Sequence, residues 1–205
     1  SAPRRPPTES PLPMPFSSTP AALGTALAAR GYATATPVQA GVLVPEAQDR
    51  DLLVSAQTGS GKTVAYGLAF AATLLGEAER FERAGAPLCL IVAPTRELAM
   101  QVHRQLSWLY AETGARITTC VGGMDPRRES HALSHGVHLV VGTPGRLCDH
   151  LARGSLVLDR LAAVVLDEAD EMLDMGFRED LERLLEAAPK ERRTLMFSAT
   201  IPRQI

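Results

Sequence analysis

Two short clusters of residues carry the chemistry of this sequence. The first is Thr58-Gly59-Ser60-Gly61-Lys62-Thr63, which follows the apolar run DLLVSA at 51–56 and opens the helix-prone stretch VAYGLAFAATLL. Glycines in such a loop let the backbone curl until its N–H groups and the N-terminus of the next helix converge on phosphate oxygens. Lys62 then supplies a point charge to the β- and γ-phosphates of a nucleotide, and Thr63 offers its hydroxyl to Mg2+. The second cluster, Asp167-Glu168, closes the apolar run LAAVVL. A phosphate loop needs a carboxylate on a neighbouring strand to hold its metal, and two adjacent acids can divide the labour. Asp167 is expected to bind Mg2+, directly or through water, and Glu168 to orient or deprotonate the water that attacks the γ-phosphate. Lys62, Asp167 and Glu168 form the expected catalytic set, with Thr63 and Asp167 as metal ligands.

These residues need elements that bring them to one edge. Six apolar runs of strand length alternate with helical patterns: 51–56, LCLIVAP at 88–94, RITTCVGG at 116–123, VHLVVG at 137–142, LAAVVLDEAD at 161–170 and TLMFSAT at 194–200. Their hydrophobicity is continuous rather than alternating, which predicts strands covered on both faces, as in a mostly parallel sheet with helices on both sides. The fold class is therefore α/β and doubly wound, and ligands in such folds collect beyond the carboxyl ends of the strands. Ala/Leu-rich PAALGTALAAR at 20–30, followed by Gly31, predicts a short helix with its stop signal. Charged GEAERFERAGA at 76–86 is expected as a solvated helix end or loop.

Composition narrows the function. A chain of 205 residues that is 45% hydrophobic supports one buried core and a tail. Seven of the 15 prolines fall in the first 20 residues. Residues 1–15 accordingly form an expected disordered Pro-rich tail, with the domain over 16–205. A net charge of −2, from 21 basic and 23 acidic residues, argues against a broad polyanion-binding surface, so any grip on nucleic acid must be local. Cys89, Cys120 and Cys148 form no CxxC pair, which points away from a disulfide framework or zinc site and fits a reducing cytosol. No apolar run reaches the ~20 residues of a membrane span; a soluble, cytoplasmic protein is expected. His131, His135 and His138 are helically spaced in HALSHGVH, but Ala132 breaks the zincin pattern, so they are not expected to bind metal. Met100, Trp108 and Tyr110 are expected to pack rather than stack on bases.

Asp167-Glu168-Ala169-Asp170 and its continuation EMLDMGF at 171–177 resemble the DEAD-box helicases. The resemblance extends over residues 16–205: AQTGSGKT at 56–63, PTRELA at 94–99, Gly122-Gly123, TPGR at 143–146 and SAT at 198–200 stand in the family's order. It implies a RecA-like P-loop domain, ATP and Mg2+ as cofactors, and an RNA-stimulated ATPase that clamps RNA and locally separates duplexes. Gly31-Tyr32 followed by Thr36-Pro37-Val38-Gln39 is similar to the family's Q motif, which implies that Gln39 reads the adenine edge. Tyr32 and the upstream aromatic Phe16 belong to the same implied base site. Pro94, Thr95, Arg96, Gly122, Gly123, Thr143, Pro144, Gly145 and Arg146 are implied to line a path for single-stranded RNA. Their chemistry suits that role, since each motif pairs a turn with hydroxyl, guanidinium or free N–H donors, and such contacts read backbone and 2′-hydroxyl rather than bases. RNA of little sequence specificity is the expected partner. Asp170, Ser198 and Thr200 are implied to couple nucleotide state to strand separation through hydrogen bonds. The family's clamp uses a second RecA-like domain of the same full-length protein, and this chain ends five residues after Thr200. The chain alone is therefore expected to be a monomer with almost no turnover.

Overall fold

The computed structural model describes residue 16 and residues 19–201; the expected tail over 1–15 lies outside the described residues. Six strands, β1 (Leu52–Ser55), β2 (Cys89–Val92), β3 (Ile117–Cys120), β4 (Leu139–Gly142), β5 (Ala163–Asp167) and β6 (Arg193–Ser198), coincide with the apolar runs, and only β6 starts outside its run, one residue early at Arg193. They pair side by side in the order β1-β6-β5-β2-β4-β3, every pair parallel. Two helices, α1 (Ala21–Ala29) and α2 (Pro37–Leu43), precede β1; parallel neighbours need crossovers, and α3 (Lys62–Leu75), α4 (Arg96–Leu109), α5 (Pro126–Ser134), α6 (Pro144–Arg153), α7 (Ala169–Asp174) and α8 (Arg178–Ala187) supply them. This is the expected RecA-like α/β architecture.

Two cores, one on each face of the sheet, follow from the period-two alternation of side chains along a strand. Cys89 and Ile91 of β2, with Ala163 and Val165 of β5, meet Tyr66 and Phe70 of α3 and Leu106 of α4. Their neighbours Leu90, Val92, Val164 and Leu166 face the other way, onto Leu147 of α6, Met172 of α7 and Leu181 of α8. The expectation of two covered faces fits the inner strands and relaxes at the edge, where Leu53 of β1 is 53% exposed. Residues 76–86 form no helix: α3 ends on Gly76, and the charged segment runs as loop, with Phe81 stacked on Tyr110 and His138.

Strand order sorts the chemistry. β1, β6 and β5 are neighbours, and their carboxyl ends carry the phosphate loop, Ser198–Thr200 and Asp167–Asp170. β2, β4 and β3 form the other half, and theirs carry Pro94–Arg96, Thr143–Arg146 and Gly122-Gly123. Register keeps these ends level, with Ser55 opposite Ser198, Val92 opposite both Leu166 and Gly142, and Cys120 opposite Gly142.

Candidate active site

Gly61 caps α3 in the left-handed conformation (φ 76°, ψ 26°), which turns the loop so that the helix N-terminus faces its concave side. The turn is also tight: a Cβ on Gly61 would lie 2.5 Å from Gln39 Nε2. Gln39 is buried and works twice. Its Oε1 accepts from Thr36 N at 3.0 Å, closing a capping box on α2, and its Nε2 donates to the Gly61 carbonyl at 3.2 Å. Thr36 Oγ1 donates to the Ser60 carbonyl at 2.9 Å. The segment implied to read adenine is thus fastened to the phosphate loop by two side chains. Tyr32 and Phe16 are placed differently: the Tyr32 ring lies 5.5 Å from that of Trp108, and Phe16 packs half-buried against the core of the α3 face.

Lys62 Nζ stands 3.0 Å from Asp167 Oδ1 and 2.9 Å from Glu168 Oε1. Burial works to lower the lysine pKa, and attraction to Asp167 and Glu168 outweighs it, so the ammonium is held charged. Asp167 is fully buried, and that burial raises its pKa, with Lys62 and Tyr66 opposing. The two shifts pull the pair in opposite senses; the 3.0 Å contact to an ammonium and the hydroxyl donor on Oδ2 favour the charged pair. That donor is Tyr66, whose hydroxyl lies 3.0 Å from Asp167 Oδ2 and 3.5 Å from Thr63 Oγ1. Burial, and then the Asp167 charge, push the phenol pKa up, so it remains a donor. Sequence reading passed over Tyr66; the available signal was its position one helical turn after Lys62 and Thr63, on the same face.

Among the described residues Ser60 Oγ is buried without a hydrogen-bond partner, whereas Asp167 Oδ1 is held by the Lys62 ammonium at 3.0 Å. Buried polar atoms are normally satisfied, so an unpartnered Ser60 Oγ in the phosphate loop marks room for a ligand. The Asp167 carboxylate and the Thr63 hydroxyl, both in contact with the Tyr66 hydroxyl, are a hard oxygen donor set of the kind Mg2+ prefers. These residues therefore fit the metal.

Asp170 is linked to the end of β6. Its N–H donates to Ser198 Oγ at 3.2 Å, while Thr200 N and Oγ1 donate to its Oδ2 at 3.1 and 2.9 Å. Slight burial acts to raise the Asp170 pKa, and the Thr200 and Ser198 hydrogen bonds outweigh it, leaving it lowered.

The second half of the sheet edge converges as well. Thr95 caps α4 by accepting from Leu98 N at 3.2 Å, whereas Thr143 starts α6 without a side-chain cap bond. Gly123 has φ 82°, a conformation that favours glycine, and a Cβ there would lie 2.7 Å from Arg96 Nη1, so the guanidinium packs directly over the turn. Arg146 Nη1 donates to the Met124 carbonyl at 3.0 Å. The three histidines make no centre: His138 is spent on Arg116 N and the Glu82 carbonyl, while His131 and His135 stack on each other. A cleft of about 950 Å³ opens at the other end of the sheet, beside Pro87, Gly136 and Ser155, away from these motifs.

Fold and site together define a P-loop α/β domain of RecA type, with a lysine, two carboxylates and a coupling contact on one half of a parallel sheet. Residues 36–205 match the DEAD/DEAH box helicase family, and the chain belongs to it. It is 45% identical over 173 residues to the DEAD-box ATP-dependent RNA helicase CshA of Geobacillus kaustophilus, covering 84% of this chain and 36% of that protein. It is 44% identical over 177 residues to DEAD-box ATP-dependent RNA helicase 9 of Oryza sativa subsp. japonica, covering 86% and 28%. The crystal structure of a DEAD box protein from the hyperthermophile Methanococcus jannaschii superposes with a TM-score of 0.77 at 34% identity, over 89% of this chain and 48% of that one. The chain spans about a third of the length of the curated relatives it matches.

Proposed function

We propose that this chain is the ATP-binding half of an ATP-dependent RNA helicase, in which ATP turnover drives the clamping and release of RNA and the local separation of duplexes. The observation that carries this reading is the sorting of motifs by strand order: the Lys62–Asp167–Glu168 cluster on β1, β6 and β5, and the RNA-type turns on β2, β4 and β3. Thr58, Gly59, Ser60, Gly61 and Thr63 cradle the phosphates, and Gln39, already bonded to Gly61, presents its amide to adenine. Arriving phosphates compete with Asp167 and Glu168 for the Lys62 ammonium. Lys62 shifts to phosphate oxygens, which frees Asp167 for metal and Glu168 for the attacking water. Mg2+, held by Asp167 and Thr63 when bound, neutralises charge on the β- and γ-phosphates. Asp170, through Thr200 and Ser198, passes the state of this site to the end of β6.

Pro94–Arg96, Gly122-Gly123 and Thr143–Arg146 grip the sugar-phosphate chain with little sequence selectivity, and the 2′-hydroxyl favours RNA over DNA. A second RecA-like domain of the full-length protein completes the groove and supplies the missing transition-state charge. Among the described residues no helix is long and apolar enough to cross a membrane, and the three cysteines are buried free thiols. A reducing compartment suits such thiols, and we place the protein in the cytoplasm.

Glu168→Gln in the full-length protein tests the assignment. ATP turnover should fall roughly 10²–10⁴-fold while ATP binding survives; unchanged turnover contradicts it. The 205-residue chain alone, a monomer in this reading, should bind adenine nucleotide weakly and hydrolyse almost none. Robust RNA-stimulated turnover by the chain alone would contradict the division of labour between domains.

A further inference from the structure

The turns assigned to RNA share a buried hub that the phosphate chemistry does not use. Glu129 of α5 is only 6% exposed, and both of its carboxylate oxygens are engaged. Oε2 accepts from Val121 N at 2.9 Å, the residue immediately before Gly122-Gly123. Oε1 accepts from Arg146 Nη1 at 2.8 Å and faces His150 Nε2 at 2.9 Å. A carboxylate only accepts, so Nε2 carries the proton, and Nδ1 is left facing Ser130 Oγ at 3.4 Å. His150 stands one helical turn after Arg146, on the same side of α6. One carboxylate therefore ties together the end of β3, α5 and the start of α6.

We propose that Glu129 and His150 are positioning residues for RNA binding, holding Arg146 and the Gly122-Gly123 turn in the geometry that meets a backbone phosphate. The proposal rests on the reading of those two motifs as RNA-binding. Arg146 spends a single nitrogen, Nη1, on Glu129 and on the Met124 carbonyl. Among the described residues its Nε and Nη2 donate to nothing, which leaves the outer side of the guanidinium fork for a phosphate. A flexible arginine would pay side-chain entropy on binding RNA; one fixed on a buried carboxylate has already lost that freedom.

A metal centre is the competing reading, because Cys120 offers a sulfur within 4.8 Å of ligand atoms from Glu129 and His150. Arg146 already occupies the cation position beside the carboxylate. Burial also pushes the Cys120 thiol up to about 12, which opposes its ionisation as a ligand. The cluster is filled by its own donors.

The test uses the full-length protein and a fluorescein-labelled oligouridylate, titrated with a non-hydrolysable ATP analogue and Mg2+ present. Glutamine at position 129 has one acceptor oxygen, and its NH2 must confront either Val121 N–H or the Arg146 and His150 donors. Glu129→Gln should weaken RNA binding about tenfold, and Arg146→Ala at least as much. The double variant should lose less than the two single losses combined, because Glu129 acts partly through Arg146 and partly through the Gly122-Gly123 turn. Affinity for a fluorescent ATP analogue without RNA should move by less than about twofold, a split that a merely structural defect would not give. Wild-type RNA binding by Glu129→Gln, full additivity in the double variant, or equal losses of ATP and RNA binding would each overturn the proposal while leaving the RNA reading intact. Normal RNA binding by Arg146→Ala would remove that reading and the proposal together. Should Glu129→Gln fail to fold, His150→Gln, which keeps a donor near the Nε2 position, should bind RNA nearly as wild type does and His150→Leu several-fold more weakly. Equal affinities for those two variants would sink the idea.

Discussion

Glu168 is held at φ 51° and ψ 52°, a left-handed conformation that costs a non-glycine residue about 1–2 kcal/mol. The distortion turns the chain from β5 into α7, with the Glu168 carboxylate 2.9 Å from Lys62. Strain of this kind persists where surrounding contacts over-determine it, and here Lys62 and the buried Asp167 do so. Tyr66 adds to that hold. Tyr66→Phe keeps the ring against Phe70 and Phe197 but removes the donor to Asp167 Oδ2. Urea unfolding should show a loss of about 1–3 kcal/mol, the cost of a buried acceptor left without its partner; an unchanged midpoint would show that the hydroxyl bears no weight. Lys62, Thr63, Asp167 and Glu168 were legible in the sequence because their types and spacing have little other use. Tyr66 was not, because within an apolar helix a tyrosine is indistinguishable from core until its neighbour across the sheet is known. Glu129 and His150 were hidden for the same reason, since both sit on amphipathic helices and meet only through the β3–β4 pairing.

The elements were the most legible level. Each of the six apolar runs coincides with one strand, because a parallel sheet buried on both faces demands continuous hydrophobicity. Strand order was not legible: nothing local in β6 says that it inserts between β1 and β5, yet that insertion brings Ser198 and Thr200 to Asp170. The exposed Leu53 follows from the same order, which makes β1 an edge. Helix starts separate structural threonines from others. Thr95 caps α4 through Leu98 N, so Thr95→Ala should cost about 1 kcal/mol in urea unfolding. Thr143 makes no such bond, and Thr143→Ala should cost less than about half of that. Weaker RNA binding by Thr143→Ala would then reflect a lost contact rather than a loosened helix. Equal destabilisation by the two substitutions would contradict the assignment.

At the scale of the whole molecule, a net charge of −2 is compatible with the proposed nucleic-acid surface because the proposed grip is made of turns. Arg96 and Arg146 both reach toward Met124, which collects two positive side chains beside Gly123 at one end of the sheet. The phosphate site lies on the same edge of the sheet, where β5 is the direct neighbour of β2. The chain spans only about a third of its curated relatives, so the clamp proposed above is to be tested on the longer protein. The most direct measurement is ATP turnover by the full-length protein with and without single-stranded RNA, at fixed ATP and Mg2+. The account predicts that RNA raises turnover at least about tenfold, a lowering of the barrier by about 1.4 kcal/mol or more. Turnover that is intact but indifferent to RNA would contradict it.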